Sequence, residues 1–362
     1  MMPAKMTPLT SQSSLRRTRV RALFAAGLAL AATCDAASAQ SSVTMFGTVD
    51  EALGYLWGSG SSKFGVSHSG ANVSRIGFRG VEDLGGGLSA GFWAEAGYNP
   101  DEGTGRNDGG LQFNRRSTVS LMGRFGELRI GRDDSATFLN TLIFDPFLTN
   151  GVAGTNAFAM LGAPIQISNA ISYFLPSGLG GLYGQVQYAF GELTQTGTTT
   201  VPRSAGDYAG ARIGYLSGPL HVAGSYGRLR GTPPAADLII YNAAVSYDFG
   251  VIKPIAMVAV EKRDVREVRA MEVGATMPIG LGFIRAQVSR YNTTGMGDGG
   301  WTKFGVGGGY NLSKRTMLYA SYGRINNHRD ATRTISPQGL AGPVVPAGGK
   351  SNGVELGIRH FF

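Results

Sequence analysis

The chain has 362 residues, of which 56 are Gly, 43% are hydrophobic and 16% are charged, with a formal net charge of +9. The apolar fraction is too high for disorder, no period-three glycine repeat makes a collagen, and no apolar run of about 18 residues makes an ordinary membrane helix. One Cys excludes a disulfide scaffold and a thiolate zinc site, and four scattered His argue against a histidine metal site.

Lys5, Arg16, Arg17, Arg19 and Arg21 form a basic leader, followed by an apolar run from Ala22 to Ala32 and the small-x-small site Ala37-Ser38-Ala39. This order predicts a secretory signal peptide over 1–39 and a mature chain of 323 residues beginning at Gln40, free of Cys. Cys34 is preceded by Thr33 and does not fit a lipoprotein site. The leader holds five basic residues and one acid, Asp35, so its removal lowers the charge from +9 to +5. Nearly half of the net positive charge belongs to export, and no nucleic-acid partner is expected from the rest.

The remainder alternates with period two. From Ser74 to Gly80, Ile76 and Phe78 share one face, while Arg75, Gly77 and Arg79 share the other. In 182–190, Leu182, Val186, Tyr188 and Phe190 recur on even or near-even positions against Gln185 and Gln187. The last nine residues place Val354, Leu356, Ile358, His360 and Phe362 on one side, and Glu355, Gly357, Arg359 and Phe361 on the other. Alternation at this period is strand, not helix.

Seven short connections are expected at 84–87, 123–126, 176–181, 217–219, 248–251, 278–282 and 311–315. Eight longer ones are expected near 58–71, 99–111, 133–166, 192–206, 230–236, 262–267, 292–300 and 326–351. Fifteen connections mean sixteen strands, or fourteen or eighteen where a long connection is miscounted by one hairpin, with about 20 residues per strand and connection, which suits strands tilted across a bilayer. One strand face is apolar. The other is Gly, Ser, Thr, Gln and Arg, a poor dry core but a good wet wall. Lipid outside and water inside satisfy both faces, provided the sheet closes so that every backbone amide is paired. The fold class is therefore all-β: a 16-stranded antiparallel transmembrane barrel over 40–362. Barrels of this size enclose an aqueous channel. Phe46, Tyr55, Trp57, Tyr98, Tyr173, Tyr319 and Tyr322 lie toward strand ends, where interfacial aromatic girdles form.

Several segments resemble the general porins of Gram-negative bacteria, notably the proteobacterial group with a basic constriction. They are Ser42-Val43-Thr44-Met45-Phe46-Gly47, the run Ser74 to Leu88, Phe113-Asn114-Arg115, Phe125 to Arg132, Ile167 to Tyr173, and Tyr188 to Glu192. In order, they span essentially all of 40–362. The resemblance implies an outer-membrane channel for passive diffusion of small hydrophilic solutes and ions, with no enzymatic role and no cofactor. It implies a homotrimer whose polar second loop, Asn99–Gly110, latches neighbours. Outer-membrane lipid and the barrel-insertion machinery are the further expected partners, the latter reading Phe362 as an assembly signal. The long third loop, 133–166, is expected to fold inward and set the constriction. It is rich in apolar and small residues and has no Lys or Arg.

The same resemblance places Glu95 and Arg132 in the lumen and Asp145 in the third-loop motif Asp145-Pro146-Phe147, where Leu148 stands in place of a common Gly. Arg75 and Arg79 are luminal by alternation and resemblance alike. For the next strand the two disagree. Resemblance favours Arg115, whereas alternation groups Arg115 with Leu111, Phe113, Val119 and Leu121 and favours Arg116. An Arg facing lipid at mid-depth costs about 2–4 kcal/mol, so both stay as candidates. Arg132 shares the parity of Leu128 and Ile130, which a bulge would resolve. Four luminal positives against Glu95 and Asp145 predict a weak preference for anions. A substrate-specific channel and an adhesin or receptor are the alternatives.

Overall fold

The computed structural model describes residues 42–106, 110–194, 201–295 and 299–362. The expected leader and its cleavage site at 39/40 lie outside the described residues. The strands are β1 (Ser42–Gly58), β2 (Ser61–His68), β3 (Arg75–Gly85), β4 (Leu88–Asn99), β5 (Thr104–Gly105), β6 (Arg116–Gly123), β7 (Gly126–Asp134), β8 (Gln166–Phe174) and β9 (Leu182–Ala189). They continue as β10 (Tyr208–Ser217), β11 (Leu220–Leu229), β12 (Leu238–Tyr247), β13 (Lys253–Arg263), β14 (Arg266–Ile279), β15 (Gly282–Thr294), β16 (Gly300–Asn311), β17 (Thr316–His328) and β18 (Lys350–Phe361). One helix, α1 (Ala136–Phe144), lies between β7 and β8.

These segments build sixteen staves. β1 pairs with β2 over Glu51–Gly58 and with β3 over Ser42–Thr48, so β2 and β3 are two halves of one stave. β5 pairs only with the end of β4, at Tyr98 and Asn99. Each remaining stave pairs antiparallel with its neighbour, and β1 pairs with β18 from Thr48↔Phe361 to Trp57↔Asn352, closing the barrel. Closure leaves no edge whose amides would face lipid unpaired, at several kcal/mol each.

The faces divide as the period predicts. On β14, Met271 and Val273 are 56% and 60% exposed, while Val268, Ala270 and Glu272, of the other parity, are buried. On β15, Ile284 and Val288 are exposed, while Arg285, Gln287, Ser289 and Tyr291 are buried. The outer face is thus apolar and the inner face polar, the reverse of a soluble sheet. Phe46 and Tyr319 depart from the girdle expectation. Phe46 packs on Trp93 at 4.9 Å, and Tyr319 is buried and donates to Asp50 at 2.6 Å.

The short connections fall where composition places them. Between β3 and β4, Gly85, Gly86 and Gly87 all have positive φ (81°, 60° and 81°), a run no side chain tolerates well. The first long connection differs from expectation. Strand pairing continues to a two-residue turn at Ser59-Gly60, both with positive φ, the geometry that matches strand twist. The interruption comes later, at 69–74. There Asp50 accepts from the amides of Ala71 (2.9 Å) and Asn72 (2.6 Å), so one buried carboxylate replaces the ladder bonds lost at the break.

The segment 135–165 is the longest connection. Ser135 caps α1 by accepting from the Phe138 amide at 3.2 Å. Beyond α1, buried side chains of the inner face hold the chain. Arg285 donates to the Pro146 carbonyl (2.9 Å) and Gln287 to that of Ala153 (2.7 Å). Glu355 accepts from the Val152 amide (2.9 Å), and Glu261 from the amides of Met160 (2.9 Å) and Leu161 (2.5 Å). Lys303 donates to the Gly154 carbonyl.

Candidate functional site

Strand register brings the basic residues together. β3 sets Arg75 opposite Gly97 and Arg79 opposite Trp93 of β4. β4 in turn sets Glu95 opposite Arg116 of β6, and β6 sets Ser120 opposite Arg129 and Met122 opposite Glu127 of β7. Directly opposed residues in antiparallel strands point to the same side. The result is one continuous polar strip on the inner face.

Glu95 is the centre of its upper part. Its carboxylate accepts from Arg115 Nε at 2.6 Å, Arg75 at 3.4 Å and Trp93 Nε1 at 3.0 Å. The Trp93 ring is covered by two guanidiniums, Arg116 at 4.5 Å and Arg79 at 5.1 Å, a favourable use of the ring's negative face. Arg79 also lies 5.4 Å from the Phe46 ring. Below it, Arg116 is 3.6 Å from Asp133, and Arg129 joins Asp133 (2.5 Å) to Glu127, which it meets through two bonds of 2.8 and 3.0 Å. A hollow of about 390 Å³ lies along this strip, lined in part by Thr44, Arg79, Trp93, Arg116, Glu127 and Arg129.

The two alternatives for β6 therefore meet. Arg116 is on the inner face by alternation, and Arg115, one residue before the strand, reaches the same group through Glu95. Arg132 stands apart. The register to β8 shifts between Gly131 and Asp133, but the parity reversal in β7 that would turn Arg132 inward is not found. The extra residue is on β8, where two residues face Arg132, so β7 keeps its alternation: Asp133 lies on the side of Glu127 and Arg129, while Arg132, opposite Ser117, donates to the Asn114 carbonyl (2.5 Å) and the Ser168 hydroxyl (2.7 Å). Arg129, not Arg132, is the β7 arginine that meets the strip's carboxylates. Sequence reasoning missed Arg129, although the parity of Glu127 and Arg129 against Leu128 and Ile130 could have found it.

Asp145 also differs from its expected role. It is 1% exposed and spends its carboxylate on its own loop, accepting from the amides of Phe147 (2.9 Å), Thr149 (2.6 Å) and Thr155 (2.8 Å). These bonds support Leu148 and Thr149 at φ 54° and 63°, so the turn that a Gly would ease is made here with Leu. Asp145 is thus a loop organiser rather than a free channel charge. Without Asp145 and Arg132, the strip holds Arg75, Arg79, Arg115, Arg116 and Arg129 against Glu95, Glu127 and Asp133, five positives to three negatives.

Phe362 closes the other end. Its carbonyl and amide bond the amide and carbonyl of Gly47 at 3.1 and 3.2 Å, and its ring lies where a side chain at position 47 would point. Among the described residues, no three His, Cys, Asp or Glu gather as a metal site.

A polar, arginine-rich strip on the inner wall of a closed, lipid-compatible barrel is the wall of a channel, and the comparisons agree. The chain is 37% identical to outer membrane porin protein 32 of Delftia acidovorans, over 92% of this chain and 98% of that protein. It is 27% identical to a major outer membrane protein P.IB of Neisseria meningitidis serogroup A, over 84% and 94%. Among solved structures, an anion-selective porin from Comamonas acidovorans superposes with TM-score 0.81 at 36% identity, covering 89% of this chain and 100% of that one. A Salmonella typhi OmpF structure, at 16% identity and TM-score 0.62, shares the fold. The family model for Gram-negative porins matches residues 25–330, and with the sixteen-stave barrel this places the chain in that family, as a channel-forming protein of the bacterial outer membrane.

Proposed function

We propose that this porin passes small hydrophilic solutes and ions with a weak to moderate preference for anions, through a constriction made by the Arg75, Arg79, Arg115, Arg116 and Glu95 group facing the inward-folded segment 135–165. The observation that carries the reading is the surplus of arginine over carboxylate along the strip. The bonds from Arg285, Gln287, Glu261 and Glu355 support the loop's place across the lumen. The selectivity named for the Comamonas acidovorans porin agrees with it. Arg132 belongs at most to the rim of this group. In planar bilayers under a salt gradient, the purified protein should give stable steps of current and a zero-current potential of anion-preferring sign. A cation-preferring sign would reject the selectivity, and an absence of steps would reject the channel.

The chain acts as a homotrimer in outer-membrane lipid, delivered by the barrel-insertion machinery through the Phe362 end. The terminal residue's bonds to Gly47 seal the first stave to the last, so its loss exposes the closing seam. One gel experiment covers both statements. Unheated samples should run as a large species that collapses on boiling, and cells making the chain without Phe362 should hold much less of it in the outer membrane. A species of monomer size at every temperature would reject the trimer, and undiminished membrane levels would reject the assembly role.

A further inference from the structure

The loop after β4 returns to the wall it left. Asn99 accepts from the Gly103 amide at 2.9 Å, and its side chain donates to Thr104 Oγ1 at 3.1 Å and the Gly105 carbonyl at 3.3 Å. β5 then pairs with Tyr98 and Asn99, and the Arg106 amide donates to the Gly97 carbonyl at 3.1 Å. This hairpin lays Arg106 over Gly97, the residue opposite Arg75. A side chain on Gly97 would meet Arg106 Cδ at 3.1 Å and Arg115 Cδ at 3.3 Å, so both arginine stems lie on that glycine. Neither sequence pattern nor resemblance singled out Arg106.

Arg106 thus lies beside Arg115, one of the two arginines that share Glu95. Glu95 is already shared by Arg115 and Arg75, and no carboxylate among the described residues pairs with Arg106. Burial and the neighbouring Arg115 push its pKa down to about 10, which still leaves it charged at neutral pH. A fixed cation held by backbone geometry beside a like charge, and paired with no carboxylate among the described residues, favours a mobile anion next to it.

We propose that Arg106 is a selectivity residue of the channel, a positive charge supplied by the second loop to the anion path above Glu95. The proposal deepens the anion-preferring reading and rests on it. Where the resemblance gives this loop to subunit contact, the fold gives part of it to the lumen as well.

The test uses the full-length protein in planar bilayers under a potassium chloride gradient. Arg106→Gln should lower the anion-to-cation permeability ratio about twofold at low salt, less at high salt, as expected for one charge within several ångströms of the path. Gly97→Leu keeps every charge but takes the space beneath both stems, and should move the ratio in the same direction. Heat stability of the oligomer, read on gels, should not change for Arg106→Gln, which separates the effect from subunit latching. An unchanged ratio in Arg106→Gln overturns the inference. A wild-type protein that prefers cations rejects the anion-preferring reading instead, and Arg106→Gln must even then move the potential further toward cations for the inference to stand.

Discussion

Replacing Arg75 and Arg79 together by Gln should move the zero-current potential toward that of an unselective pore, most visibly at low salt. The two residues are chosen because the wall depends on them least. Arg79 makes only ring contacts, to Trp93 and Phe46, and Arg75 reaches Glu95 at 3.4 Å, where Arg115 holds the same oxygen at 2.6 Å. Their removal leaves Glu95 paired and takes the strip from five positives to three, equal to its three acids. Two unit charges 4 Å apart interact by about 1 kcal/mol in water, which is about fivefold in occupancy, and salt screens the effect beyond about 8–10 Å. A change of several-fold in ion preference is therefore expected, with little change in unitary conductance at high salt. Arg115→Gln is the poorer experiment. It strips the tightest partner from a carboxylate that is only 8% exposed, so selectivity and local structure would change together. A double variant whose potential equals the wild type's would show that Arg75 and Arg79 do not face the ion path.

What could be read ahead of the structure followed from periodicity. Residues such as Met271 and Val273 against Glu272 fix a strand and its two faces, because a one-residue slip would put every polar group into lipid. Glycine runs such as 85–87 mark the tight turns, since few residues accept their φ. The same rule favoured Arg116 as an inner residue, and applied to Glu127 and Arg129 against Leu128 and Ile130 it would also have found Arg129. Arg132 was placed in the lumen by resemblance against its parity with Leu128 and Ile130, and the one irregularity nearby adds its residue to β8, so the alternation of β7 is kept. Asp145 was misread for another reason. An acid in a channel loop looks like a selectivity charge, and only three-dimensional geometry shows that three amides consume it. The anchors of the long loop went unnoticed in the sequence because their partners lie a hundred or more residues away, as with Glu261 and Met160 or Glu355 and Val152. Arg106 had no periodic pattern to declare it, since it sits in a loop whose return path is set by the hydrogen bonds of Asn99.

Those distant anchors lead to the second large effect. Glu261 and Glu355 together accept from three amides of the long loop, and Glu355 also accepts from the Ser67 hydroxyl at 2.8 Å. Both are nearly fully buried, at 1% and 2% exposure. Truncating both to Ala leaves those amides without acceptors, at roughly 1–3 kcal/mol for each group that water cannot reach. The sheet does not share this dependence, because its ladders close from β1 to β18 without the loop. The double variant Glu261→Ala with Glu355→Ala should therefore still form a heat-modifiable barrel but carry a loosened loop. Single channels should show more current noise, a larger mean conductance and weaker ion preference, because under the proposed function this loop sets the constriction facing the arginines. Loss of both charges also makes the lumen more positive, which alone would strengthen anion preference, so the two explanations predict opposite signs. A quiet channel with stronger anion preference would mean that the two carboxylates act as wall charges and that the loop is held by Arg285, Gln287 and Lys303 without them.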